Sequence, residues 1–409
     1  MKIAFIVGTF PALSETFILD QITGLLDLGH EVEVFAEQKP EETKRHFDVE
    51  KYHLSKRTSY YPSIPAHRFF RQLVLFYMVA KKLFVHPVCT FKALIFYARR
   101  RKELSPRTFF WLLSFIGKKF DLYHSHFGPN GNKSIHIKII GIPGKHLTTF
   151  HGSDVNQYPR LKGTDVYREL FQKADLFTAN TVFTRSRVTE LGANKDKIQI
   201  LPVGLRMERF AYKRRDITSG ETIKLLTVGR LVEKKGHEYA LKALAQVSRK
   251  HPNIAYDIAG DGPLRSKLEA LAVELKISSS TNFLGAMMQD EIIKLYQSAH
   301  IFILPSVTAA DGDMEGQGLV LQEAQAVGLP VISTLHNGIP DGVLDGRSGF
   351  LVPERDADAL AERLQYLIEH PEIWAEMGRA GREFVEKNYD IKKLNRRLVQ
   401  IYQQLLQKN

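Results

Sequence analysis

At 409 residues the chain has room for two to three units of roughly 150 residues each. Its 44% apolar and 25% charged content is ordinary for a globular protein, and a single cysteine, Cys89, excludes an internal disulfide framework and fits a reducing compartment. The net charge of +12 is local: Lys56 to Lys119 holds fourteen basic residues against one acid, Glu103, so the remainder sums to −1.

The first apolar run, Ile3 to Val7, is too short for a signal-peptide core. No run approaches the roughly 18 residues of a membrane span, and no Cys–His cluster has zinc spacing. Ile3 to Val7 reads instead as a buried strand, followed by a loop from Gly8 to Leu13. A helix capped by Ser14, with Glu15 in its first turn, ends at Gly29, and Glu31 to Ala36 is the next strand. This is how a doubly wound α/β unit begins. The loop has one glycine, so the G-x-G-x-x-G fingerprint is absent and a nicotinamide-dependent oxidoreductase is disfavoured.

Residues 39–60 read as polar and irregular. Three helices near 66–84, 90–101 and 106–119 then interleave aromatic and aliphatic side chains, Trp111 among them, with the basic residues. Such a surface suits anionic lipid headgroups, whereas no nucleic-acid signature is present. The bland alternative is a helical insertion with merely solvated charges. Asp121 to His124 reads as a strand and Ser125 to Gly128 as a loop. His146 to Phe150 is a strand ending in His151-Gly152-Ser153-Asp154, and Pro202-Val203-Gly204 reads as a hinge. A histidine at the carboxyl end of a parallel strand lies where open sheets bind ligands.

A second α/β unit opens at Ile223. Gly229 and Arg230 close its first strand, and Lys235 precedes a helix. Arg and Lys between a strand end and a helix start form a phosphate clamp. Further on, the strand Ile301 to Leu304 leads into a loop rich in Gly and Asp and then a helix near Gly318. Gly316 and Gly318 leave backbone N–H groups uncovered at that helix start, an anion site flanked by Glu315 and Glu323. Acidic residues there also serve simply to complement the helix dipole.

Several motifs stand in one order: GR-x4-KG (Gly229, Arg230, Lys235, Gly236), GDGP (Gly260 to Pro263), FLG (Phe283 to Gly285), E-x7-E (Glu315, Glu323), GLPVI (Gly328 to Ile332) and GIP (Gly338 to Pro340). As a set they resemble the retaining glycosyltransferases of family 4, which have the GT-B fold of two facing Rossmann-like domains. PxxSETF (Pro11 to Phe17), HGSD (His151 to Asp154) and ADGDxEG (Ala310 to Gly316) resemble its colanic-acid and exopolysaccharide branch. Gln317 and Asp341 depart from the pattern, where relatives often carry an apolar residue and Glu.

The resemblance implies an acceptor domain over 1–204, a donor domain over 205–387, and a terminal helix over 388–409 crossing back. It implies a UDP- or GDP-sugar donor with no cofactor. Arg230, Lys235, Glu315 and His151 would carry the chemistry. Gly8, Gly229, Leu284, Gly316, Gly318, Leu319 and Glu323 would bind the donor, Glu323 at the ribose and the backbone around Leu284 at the base. Asp311-Gly312-Asp313 spells a D-x-D, but Arg230 and Lys235 already supply positive charge, so no metal is expected. The expected reaction is retaining sugar transfer to a lipid-linked saccharide at the inner face of the cytoplasmic membrane, held there through Lys56–Lys119. An epimerase of the same fold, or transfer to a small acceptor, is the alternative.

Overall fold

In the computed structural model, residues 1–12, 15–40, 46–62, 65, 67–218 and 220–407 are described. The expected Ser14 cap and the Leu13 end of the loop lie outside them. The chain forms two parallel sheets. The first has seven strands: β1 (Lys2–Thr9), β2 (Glu31–Gln38), β3 (Thr58–Tyr60), β4 (Leu122–His126), β5 (Lys145–Phe150), β6 (Leu176–Ala179) and β7 (Ile198–Ile200). Their order is β3-β2-β1-β4-β5-β6-β7. The second has six: β8 (Ile223–Val228), β9 (Ile254–Ala259), β10 (Thr281–Gly285), β11 (Ile301–Leu304), β12 (Val331–Thr334) and β13 (Gly349–Val352), ordered β10-β9-β8-β11-β12-β13. Helices cover both faces, so the central strands can be apolar throughout; Ile3, Phe5, Ile301 and Phe302 are all buried.

Each sheet reverses its strand order once, between β1 and β4 and between β8 and β11. Open α/β sheets bind ligands at such switch points, beyond the carboxyl ends of the strands.

The structure corrects several expectations. Among the described residues of the stretch 39–60, short helices span Phe47–Lys51 and Leu54–Arg57, and β3 pairs with β2. Buried Val49 and Leu54 anchor this stretch, while the polar β3 is an edge strand held by backbone pairing, which leaves no hydrophobic pattern to read. Gly8 lies inside β1 rather than in the loop. β4 runs on to His126, because its polar side chains find buried partners: His124 Nδ1 lies 2.6 Å from the Tyr402 hydroxyl and Nε2 lies 2.7 Å from Thr149 Oγ1. The helix Pro106–Phe115 is not a surface element; Phe109 and Trp111 share a buried cluster with Phe35, Phe115 and Tyr123, and Phe110 is buried too.

The last helix, Ile391–Gln407, buries Leu394, Leu398, Ile401, Tyr402 and Leu405 at helical spacing against the first sheet's core. At its start, the Leu205 N–H donates to the Tyr389 carbonyl at 2.7 Å, and the Ile391 N–H to the Leu205 carbonyl at 2.9 Å. The two passages of chain between the sheets therefore run side by side.

Candidate functional site

The carboxyl ends of β8, β9 and β10 converge through their glycines. The Gly229 N–H donates to the Ala259 carbonyl at 2.9 Å and the Gly260 N–H to the Gly285 carbonyl at 2.8 Å. Lys235 lies across Gly229, where an added Cβ would stand 3.3 Å from Lys235 Cε. Its ammonium reaches 2.5 Å from Glu315 Oε2. Burial pushes the Glu315 carboxyl up, but Lys235 foremost, together with Lys234 and His336, holds the group below its ordinary value. Arg230 is exposed, and its guanidinium has no hydrogen bond or ion pair with the described residues.

Glu315 is fixed from behind by residues that the motifs did not flag. Its N–H donates to His336 Nε2 at 3.1 Å, and His336 Nδ1 lies 2.6 Å from Glu354 Oε1. With Nε2 accepting, Nδ1 carries the proton and donates to the carboxylate. The D-x-D loop is spoken for as well: Lys234 pairs with Asp313 at 3.0 Å, and Asp311 Oδ1 accepts the Asp313 N–H at 2.8 Å.

Gly318 adopts the left-handed conformation (φ 72°) and caps the helix Leu319–Ala326, one residue later than expected. Glu323 accepts the Tyr296 hydroxyl at 2.9 Å. Burial raises its carboxyl to about 7, against the Tyr296 hydrogen bond and the charge of Arg209. A cavity of about 40 Å³ between the units is lined by Thr16, Asp20, Arg206, Arg209, Leu319 and Glu323. Small-molecule sites are roughly 300–1,000 Å³, so this one must open to admit a nucleoside. Leu284 lies apart from this cavity, 38% exposed on the edge strand β10.

From the first sheet, β5 delivers His151. Asp154 holds this turn: its Oδ1 accepts the N–H groups of His151 at 3.0 Å and Gly152 at 2.8 Å, and its Oδ2 that of Gly128 at 3.0 Å. Gly316 meets the turn directly, since a Cβ there would stand 2.6 Å from the His151 carbonyl oxygen. Thus the His151 backbone meets Gly316, the chain neighbour of the Glu315 that pairs with Lys235. Gly8 stands apart from that contact, its nearest neighbour being Asn130.

The two departures from the family pattern both bridge the units. Gln317 clamps Val203 in the hinge, accepting its N–H at 2.8 Å and donating to its carbonyl at 2.9 Å. Asp341 Oδ2 accepts the Val182 N–H, at the first turn of the helix Val182–Glu190, at 2.5 Å.

The chain is similar to known proteins along nearly its whole length. A domain described as glycosyl transferases group 1 matches residues 209–384, and a glycosyltransferase family 4 domain matches 14–209. The chain is 35% identical to a putative colanic acid biosynthesis glycosyltransferase (WcaL) of Salmonella typhimurium, over 98% of this chain and 100% of the relative. It is 32% identical to the amylovoran biosynthesis glycosyltransferase AmsK of Erwinia amylovora, over 99% and 100%. Among solved structures, Anabaena HepE in complex with UDP and glucose superposes with a TM-score of 0.73 at 17% identity, covering 99% of this chain and 100% of that one. The fold is GT-B.

Proposed function

The chain belongs to the group 1 and family 4 glycosyltransferases, and from that premise we propose that it moves a sugar from a UDP- or GDP-sugar to a lipid-linked saccharide, with retention, in exopolysaccharide biosynthesis. The observation that carries the reading is the Lys235–Glu315 pair near Arg230, whose guanidinium has no partner among the described residues, at the strand ends where such sheets bind ligands. Residues 1–204 take the acceptor, 205–387 take the donor, and 388–409 tie the end of the chain back to the first unit.

In this reading Arg230 and Lys235 hold the diphosphate, and the N–H groups at Gly316, Gly318 and Leu319 add to them. Gly229 leaves room for Lys235. Glu323 accepts from the ribose, the backbone at Leu284 faces the base, and Gly8 lets the first unit approach. Glu315, kept ionised by Lys235, binds sugar hydroxyls rather than acting as a nucleophile, and His151 contacts the sugar and phosphate. The acceptor oxygen bonds to the anomeric carbon as the bond to the diphosphate breaks, and the acceptor's proton passes to a departing phosphate oxygen on the same face. No metal is needed, a reading supported by the pairing of Asp313 with Lys234.

The test is transfer from a matching nucleotide sugar to a membrane-extracted lipid-linked acceptor, with the product anomer read by NMR. The expected product keeps the donor's anomeric configuration. An inverted product would overturn retention. A nucleotide sugar altered without acceptor would favour an epimerase.

The membrane reading is supported by the helices Arg68–Val85 and Pro87–Arg99. Leu75, Met78 and Val79 pack inward, while Phe69, Phe76, Tyr77, Phe84 and Phe91 face out, Phe84 at 92% exposure. Exposed basic residues such as Lys81 and Arg99 share this segment. An exposed apolar ridge with cations beside it fits an anionic bilayer. No helix of the described residues is long and apolar enough to cross one. Phe76→Ser with Phe84→Ser should weaken sedimentation with phosphatidylglycerol vesicles about tenfold or more, from the roughly 1.5–3 kcal/mol each buried aromatic contributes, and leave donor binding intact. Wild-type protein that ignores such vesicles would contradict the claim.

A further inference from the structure

Three imidazoles line up at the carboxyl ends of β4 and β5. His124, His126 and His151 have successive ring centroids 4.5 Å and 5.2 Å apart. His124 is satisfied at both nitrogens, by Tyr402 and Thr149. The other two share one contact, His126 Nδ1 to His151 Nε2 at 3.0 Å. That leaves His126 Nε2 and His151 Nδ1, both buried and without partners among the described residues.

Burial keeps both rings neutral at physiological pH, holding His151 down at about 3 and His126 well below its ordinary value. Each ring therefore carries one proton, and the shared contact uses one donor and one acceptor. Two arrangements satisfy this. If His151 donates from Nε2, the His126 proton sits on Nε2, an N–H sealed in the core under Phe5, whose ring lies nearly parallel at 5.6 Å. If His126 donates from Nδ1, its buried Nε2 is only an unused lone pair, and the orphan N–H is Nδ1 of His151, in the turn that touches Gly316. An orphaned buried N–H is costlier than an orphaned acceptor. In the second arrangement that N–H belongs to His151, whose backbone meets Gly316 of the second unit, so a ligand reaches the buried Nδ1 once that contact opens.

We propose that His126 is a positioning residue: its Nδ1–H fixes His151 in the tautomer that presents Nδ1–H to an oxygen of the donor's sugar or diphosphate. This deepens the donor-contact reading of His151 and rests on it. Phe5 on one side and His151 on the other leave the His126 ring little freedom. Phe17 and Phe127, with centroids 4.7 Å and 4.6 Å from His151, steady the second ring.

The experiment reads imidazole nitrogens by ¹⁵N NMR in the full chain with bound UDP or GDP, whichever binds, alongside steady-state kinetics. The wild type should show His151 protonated at Nδ1. His126→Phe should lose that preference and lower kcat by roughly tenfold to a hundredfold, the upper figure being the cost of a lost oxyanion-type donor, with little change in donor KM. His126→Asn, whose amide nitrogen stands near the place of Nδ1, should restore most of both. A wild-type His151 protonated at Nε2, or a folded His126→Phe with unchanged tautomer and rate, would overturn the proposal; the wild-type spectrum decides even where His126→Phe fails to fold. His151→Ala with wild-type turnover would instead remove the donor-contact reading, a failure separable from that of the tautomer.

Discussion

Lys235→Ala should cut donor turnover by about a hundredfold, the cost of one lost donor to a developing anion. The ammonium has two jobs in this account. It neutralises the leaving diphosphate, and it partners Glu315 at 2.5 Å in a contact where both side chains are largely buried. Removing it leaves that carboxylate unpaired, which costs about 3–5 kcal/mol where a buried pair is broken. Turnover and melting temperature should therefore fall together. The pair's contribution is complete above the ordinary carboxylate range and is lost as pH falls through the lowered Glu315 value. Arg230→Ala should lose a similar factor in turnover with no loss of stability, since Arg230 has no described partner to abandon. Steady-state kinetics beside calorimetry separates the two; wild-type turnover in either variant would sink the clamp.

Gly236→Ala should destabilise the fold by about 3 kcal/mol or more, at the severe end of single substitutions. Gly236 has φ 66°, and a Cβ there would stand 1.8 Å from the Pro305 carbonyl oxygen, which is backbone at the end of β11. The left-handed conformation alone costs a side chain roughly 1–2 kcal/mol, and the overlap adds to it. At roughly 2–4 °C per kcal/mol for a unit of this size, melting should drop by about 6–12 °C. Gly29→Ala is the control: φ is 80° but nothing lies within 4 Å, so only the conformational cost applies. Equal losses in the two variants would refute the packing explanation of the KG motif.

What the sequence disclosed depended on whether a residue's job was local. The glycines at strand ends and the Gly318 helix start are short-range features, and the structure places them within a residue of the sequence reading, because turn geometry imposes them within a few residues. His336 and Glu354, which fix Glu315 from behind, are 18 residues apart with no periodic signal. His124 reaches Tyr402 across 278 residues. The end of its strand, Ser125 and His126, looked like a loop because buried polar residues carry no mark of burial in sequence. Trp111 shows the converse: an aromatic helix among basic residues looked like surface, yet the two helices before it cover it and keep the outward aromatics for themselves. Gln317 and Asp341 registered only as departures from a pattern; their use as bridges between the units needed coordinates.

The most direct test of the donor site is a melting-temperature screen of UDP-, GDP- and ADP-sugars on the wild type and on Glu323→Ala, with and without magnesium. A ligand at about one hundred times its Kd stabilises by roughly 2.7 kcal/mol, several degrees in melting temperature. The account predicts such a rise with one nucleotide family, indifferent to magnesium and absent in Glu323→Ala. A rise equal in both proteins would place the nucleotide elsewhere than the Glu323 cavity, and no rise with any of these sugars at millimolar concentration would contradict a nucleotide-sugar site on the second unit.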